Sequence, residues 1–132
     1  MPAKIIARLA VTALLFILCG HANAQERWAA ITPNLENSST VVWATTKEQA
    51  KKLANLACKQ VSQTCAETPA STDGMDQMFA IMCCEEPKSG CAAAVGADKD
   101  AALKEVKKLF TDGGFSQCTL KSYFKAGTGE KG

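Results

Sequence analysis

Apolar and polar positions follow two different periods along this chain, and the switches between them mark out its elements. Trp28-Ala29-Ala30-Ile31 is a short apolar run, and Thr40-Val41-Val42-Trp43 is a second run of β-branched and aromatic residues. The turn cluster between them, Pro33, Asn34, Asn37, Ser38 and Ser39, makes the pair a β-hairpin with a long loop. Thr45 and Thr46 stand three residues before Glu48 and Gln49, the spacing of a helix capping box. Beyond them Ala50, Leu53, Ala54, Ala57, Cys58 and Val61 recur at helical spacing, which predicts a helix from about Lys47 to Gln60 with one buried face.

In the second half, Thr64-Cys65-Ala66-Glu67 reads as a short strand, and Thr68 to Asp76, rich in Pro, Ser, Thr, Asp and Gly, as a loop. Met78 to Cys84 is continuously apolar, the pattern of a central strand buried on both faces. Glu85-Glu86-Pro87-Lys88-Ser89-Gly90 turns the chain, and Cys91-Ala92-Ala93-Ala94-Val95 runs back. Asp98 or Asp100 caps a second helix whose apolar face is Ala102, Val106, Leu109 and Phe110 and whose end is Gly113-Gly114. Cys118 to Phe124 has strand composition, and the Gly/Lys-rich segment 126–132 reads as a disordered tail.

The first 24 residues belong to a different grammar. Lys4 and Arg8 flank the uncharged apolar run Leu9 to Leu18, and Ala22-Asn23-Ala24 offers small residues at the positions a signal peptidase reads. The run is short of the roughly 20 apolar residues that a membrane span needs, so it reads as a cleaved signal ending at Ala24. Cys19 follows Leu18, where lipoprotein processing requires a small residue, so lipidation is disfavoured. The expected domain is therefore 25–125, in the periplasm or outside the cell.

Removal of the signal changes the chemistry that remains. Twelve lysines and Arg27 then balance thirteen Asp and Glu residues, and no basic run with interleaved aromatics argues for nucleic acid. Lys104, Lys107 and Lys108 share a helix with Glu105 and Asp112 and read as a solvated face. His21, the one histidine, leaves with the signal, which excludes Ser-His and Cys-His nucleophiles and His-ligated zinc from the mature chain. No paired C-x-x-C knuckle stands in for a zinc site, so neither metal nor cofactor is expected.

One cysteine of seven also leaves, and the remaining six, Cys58, Cys65, Cys83, Cys84, Cys91 and Cys118, form the even set expected of a disulfide framework in an oxidising compartment. Cys58 and Cys65 are close enough in sequence to close a short loop. Cys83 and Cys84 point to opposite faces of one strand, so they reach different partners among Cys91 and Cys118. Cys84–Cys91 with Cys83–Cys118 and the swapped assignment both remain open. A vicinal Cys83–Cys84 ring, which could act as a redox switch, is the less favoured alternative.

The two halves look alike. Trp28 to Ile31, a helix ending near Cys58, and Cys65 are echoed by Cys91 to Val95, a helix ending near Phe110, and Cys118. Ala50, Ala54, Ala57 and Cys58 pair with Ala102, Val106, Leu109 and Phe110, while nothing in the second half matches Thr40 to Trp43. The W-A-A-I opening, the alanine-rich helix closing on cysteine, the C-A-A-A-V run and the second helix-plus-cysteine half together resemble the secreted bacterial domain of unknown function 4189 family, over roughly Trp28 to Tyr123. Phe110 departs from that pattern where a cysteine would stand. The resemblance implies an exported, disulfide-bonded α+β module and, for small members in Gram-negative bacteria, an immunity role against a rival's secreted toxin.

The expected fold is thus α+β: a small antiparallel sheet carrying two helices, disulfide-stabilised, in two similar strand-helix-strand halves. No catalytic residue is expected. Glu85-Glu86 is an acidic pair in a turn, and neighbours there face apart, whereas a glycosidic pair must flank its substrate; an envelope hydrolase using these carboxylates is the third-ranked function. Ahead of it stands a secreted structural or effector domain, and first a binding protein that blocks a toxin or effector. Its expected contacts lie in two loops, Thr68 to Gln77 and Glu85 to Gly90, with Asp73, Met75, Asp76, Glu85, Glu86 and Lys88 as contact residues. Trp28, Trp43, Met78, Phe79 and Phe110 read as core. N-terminal sequencing of the exported protein should begin at Gln25; a start at Met1 or Cys19 would refute the signal-peptide reading.

Overall fold

The computed structural model describes residues 27–132; the expected signal peptide, Cys19, His21 and the expected cleavage site after Ala24 lie outside the described residues. Six strands and two helices follow in the order β1 (Trp28–Ile31), β2 (Val42–Ala44), α1 (Lys47–Val61), β3 (Ala70–Thr72), β4 (Met78–Glu86), β5 (Gly90–Gly96), α2 (Lys99–Asp112) and β6 (Ser116–Lys125). The class is α+β, but the strands divide between two antiparallel sheets, ordered β2-β1-β3 and β5-β4-β6, where one had been expected. The reason is the apolar runs themselves. Both central strands are buried on both faces, and each therefore needs a layer above and a layer below.

Strand alternation assigns those layers. Ala29 and Ile31 of β1 meet Phe79 and Ile81 of β4 and Phe124 of β6 in one cluster between the sheets. The alternate residue Ala30 packs under Ala50 and Ala54 of α1, and Ala80, Met82 and Cys84 pack under Ala102, Val106 and Phe110 of α2. The order is helix, sheet, sheet, helix. Phe79 and Phe110 are buried as expected.

The halves repeat, though with a different equivalence from the one read in the sequence. Each half is a hairpin, a helix and a returning strand, with the first strand central. Trp28↔Ala44 in the first hairpin corresponds to Met78↔Gly96 in the second. Ala29↔Thr72 and Ile31↔Ala70 correspond to Phe79↔Phe124 and Ile81↔Ser122. Hence β1 matches β4, and Cys91 to Val95 matches the second strand of the first hairpin. No strand is missing from the second half. The helix equivalence holds at a constant 52 positions, Ala50 to Ala102 and Cys58 to Phe110, and it includes the caps: Thr46 Oγ1 accepts from the Gln49 amide and an Asp98 carboxylate oxygen from the Ala101 amide.

Two further local readings change. Residues 64–67 form no strand, because Cys65 is bonded back to the end of α1 and the Ala66 amide donates to the Pro33 carbonyl at 2.9 Å. The strand lies later, inside the expected loop, where Ala70–Thr72 pairs with β1 and turns Thr72 into the interior. Segment 126–132, expected as a disordered tail, folds back on β6. The Lys125 amide donates to the Glu130 carbonyl, the Gly132 amide to the Tyr123 carbonyl, and the Trp43 indole N–H to the Ala126 carbonyl at 2.8 Å. A Gly/Lys composition concealed these backbone partners. Gly96 has a packing reason: a Cβ there would overlap the Ala102 backbone.

The equivalence of the two central strands generates a matched prediction. Ile31→Ala and Ile81→Ala should each lower the unfolding free energy by about 2–5 kcal/mol in urea titrations, whereas the exposed Leu56→Ala should change it by less than about 0.5 kcal/mol. A silent Ile31→Ala would refute face-to-face packing of the sheets.

Candidate functional site

All three disulfides gather at one end of the sandwich. Cys58, on the last turn of α1, bonds Cys65. Cys83 bonds Cys91, directly opposite on β5, with Cα atoms 4.1 Å apart, and Cys84 bonds Cys118, directly opposite on β6, at 3.9 Å. Of the two pairings left open by the sequence, the structure has the one in which each cysteine takes its lateral neighbour. The vicinal Cys83–Cys84 ring is not formed. Register decides this: facing positions on paired strands are closer than any diagonal alternative.

Asn34 joins the halves at this end. It is fully buried, its Oδ1 accepts the Ser38 amide at 3.0 Å and the Ser38 hydroxyl at 3.2 Å, and its Nδ2 donates to Cys58 Sγ at 3.5 Å. Its carbonyl oxygen lies 3.9 Å from Cys83 Sγ. A buried amide with its hydrogen bonds met fixes the 33–39 loop in one conformation. Asn37 takes a φ of 55°, which asparagine tolerates, and accepts from Ser122 Oγ at 3.1 Å.

The loop so held presents Leu35 to an open groove of about 740 Å³, lined by Leu35, the segment 64–69, the β5 residues 90–93 with Lys88 and Ser89, and Leu109 of α2. Leu35 and Leu109 are large apolar residues left exposed, at 39% and 55%. Cys65 and Cys91 sit in the lining, and each is bonded to a buried cysteine. The groove walls are therefore tied covalently to the core.

The expected contact residues divide between the two ends of the molecule. Lys88 lines the groove, and Glu85 lines a small neighbouring cleft with Leu35, Cys83 and Lys121. Glu86 closes β4 beside them. Asp73, Met75 and Asp76 precede Met78 at the other end of the nine-residue β4, roughly 25 Å away at the usual strand rise. Met75 is packed against the inter-sheet core. The groove thus brings Thr68 and Pro69 of the first expected loop together with Lys88, Ser89 and Gly90 of the second, whereas Asp73, Met75 and Asp76 lie away from it. Leu35, Glu67 and Leu109 lie outside the two expected loops and were missed; the one sequence signal for them was Leu109, whose place on an apolar helix face read as core.

Beside the groove, Glu36 ends a small polar chain. Its carboxylate accepts from the Thr64 hydroxyl and, at 2.8 Å, from the Ser62 hydroxyl, and the Leu35 amide donates to Thr64 Oγ1 at 3.0 Å. The Thr64 and then the Ser62 hydroxyl hold the Glu36 carboxyl below its ordinary pKa. Such a group stays ionised and is unsuited to general-acid work. Among the described residues no cluster of three His, Cys, Asp or Glu side chains could hold a metal ion, and no helix is long and apolar enough to cross a membrane. Comparison with known protein families, characterised proteins and solved structures finds no match for this chain.

A carboxyl lowered on folding stabilises the native state above its unfolded pKa, and that contribution fades as pH falls through the folded value. Carbon-detected NMR titration should place Glu36 below the usual glutamate range, and Thr64→Val should move it upward. An unchanged midpoint in Thr64→Val would show that the hydroxyl is not the cause.

Proposed function

We propose that this chain is a non-catalytic binding protein of the periplasm or extracellular space that engages a protein partner at the groove of its disulfide-bonded end. The observation that supports this reading is the combination of exposed Leu35 and Leu109 with walls cross-linked through Cys65 and Cys91. A surface already fixed before encounter loses little freedom on binding, which favours tight association. Exposed apolar side chains on a held surface mark interaction sites more than catalytic ones. The partner class we favour is a secreted toxin or effector, with this chain as its immunity or inhibitor protein. That choice rests on the export signal and on the resemblance to the secreted domain family, not on the groove.

The test is capture with the mature chain, residues 25–132, immobilised with its disulfides intact and exposed to periplasmic and secreted fractions of the producing cells and of competitors. A partner retained at micromolar protein should be weakened at least about tenfold by Leu35→Glu with Leu109→Glu, the loss expected for central apolar contacts. Retention unchanged in that variant would move the binding surface elsewhere. No partner from any fraction would favour a structural domain of the envelope instead.

A further inference from the structure

The second sheet has one edge built differently from the others. Natural sheets block their edges with short strands, charges, prolines, bulges or covering segments. Among the described residues, β2 and β3 at the edges of the first sheet have three residues each. The β6 edge carries Lys121 and Lys125, lies opposite a register shift between Ile81 and Met82, and is bridged near its end by Lys131 on Phe124. The β5 edge, Gly90-Cys91-Ala92-Ala93-Ala94-Val95-Gly96, is seven residues long and has no charge, proline or covering strand.

Its backbone is also aimed outward where the groove lies. Cys91 faces Cys83 at the close 4.1 Å spacing, which belongs to the non-hydrogen-bonded kind of antiparallel pair, so the N–H and C=O of Cys91 point away from β4. By the two-residue period the same holds for Ala93, opposite Ile81. Both residues line the groove, and neither backbone takes part in a hydrogen bond outside the ladder with β4. Small side chains at 90–93 leave room for another backbone to approach.

We infer that the β5 edge is a strand-addition site, which receives one extended segment of a partner protein through the backbone groups of Cys91 and Ala93. This deepens the binding reading above and rests on it. Leu35, Pro69 and Leu109 flank the edge, so the segment carries apolar side chains at alternate positions to meet them, the usual division between backbone affinity and side-chain specificity. A second copy of this chain pairing edge to edge through β5 would appear as a dimer of the oxidised 25–132 chain in sedimentation, and that result would overturn the proposal.

The test uses a random heptapeptide phage library selected on the oxidised 25–132 chain, followed by synthesis of the most enriched peptide. Amide hydrogen exchange at Cys91 and Ala93 should slow on adding that peptide. N-methylation at alternate peptide positions, in one of the two registers, should weaken it about tenfold or more with all side chains kept. Ala93→Pro, which removes an outward donor at an edge position that proline tolerates, should do the same. Because the methylated peptides carry the effect on the probe, the result stands even if Ala93→Pro fails to fold. Recovery of no peptide, a bound peptide that leaves both amides unprotected, or equal binding of both methylated forms would overturn the proposal. Capture of a partner by the groove variants is read independently, so failure of strand addition is distinguishable from failure of the binding reading.

Discussion

The structure depends on contact between two central strands that each lack a solvent face. β1 and β4 put Ile31 and Ile81, with Ala29 and Phe79, into one interior, and their opposite faces against separate helices. Sheets pack face to face when their inner faces are apolar and interdigitate. Here the small residue Ala29 packs in one cluster with Phe79 and Phe124 and stands opposite Trp43 on β2. Everything else follows from this sandwich: the helices are its outer covers, and both faces of each central strand are closed.

The halves use the same topology but not the same lengths. First-sheet strands have four, three and three residues, and second-sheet strands have nine, seven and ten. The longer sheet therefore extends past the shorter one toward Cys83, Cys84, Cys91 and Cys118. The inner face of that overhang is covered by the loop of buried Thr32, Pro33, Asn34 and Ser39, not by a sheet. Two cross-strand disulfides sit at this overhang, and one further bridge anchors α1 beside it. Disulfides contribute about 2–4 kcal/mol each when they restrict the unfolded chain.

Much of this was legible in the residues, and the failures have specific causes. Both helices, their N-caps at Thr46 and Asp98, the first hairpin, the buried β4 and the Cys58–Cys65 bond are local or periodic signals. The second sheet was not, since an apolar run states that both faces are covered without saying by what. The equivalence of β1 with β4 was obscured because Cys91 to Val95 resembles Trp28 to Ile31 in alanine content, while the true match conserves position through Ile31 and Ile81. Asp73, Met75 and Asp76 were named with Glu85, Glu86 and Lys88 as contact residues because all six lie in the segments that flank the apolar run 78–84. A nine-residue strand between them separates the two sets.

The location of the groove is then a consequence of the length mismatch. Where the second sheet outruns the first, its β5 edge has no layer beside it on the inner side except the 64–69 segment, itself held by Cys65. An edge strand in ordinary circumstances is a liability, and shortening or charging it is the usual remedy. In this chain the overhanging edge stays long and neutral, and Leu109 and the Cys65 segment line the groove beside it. The edge and the wall beside it thus share one anchor: Cys91 ties β5 to Cys83 of β4, and Cys65 ties the 64–69 segment to Cys58 of α1.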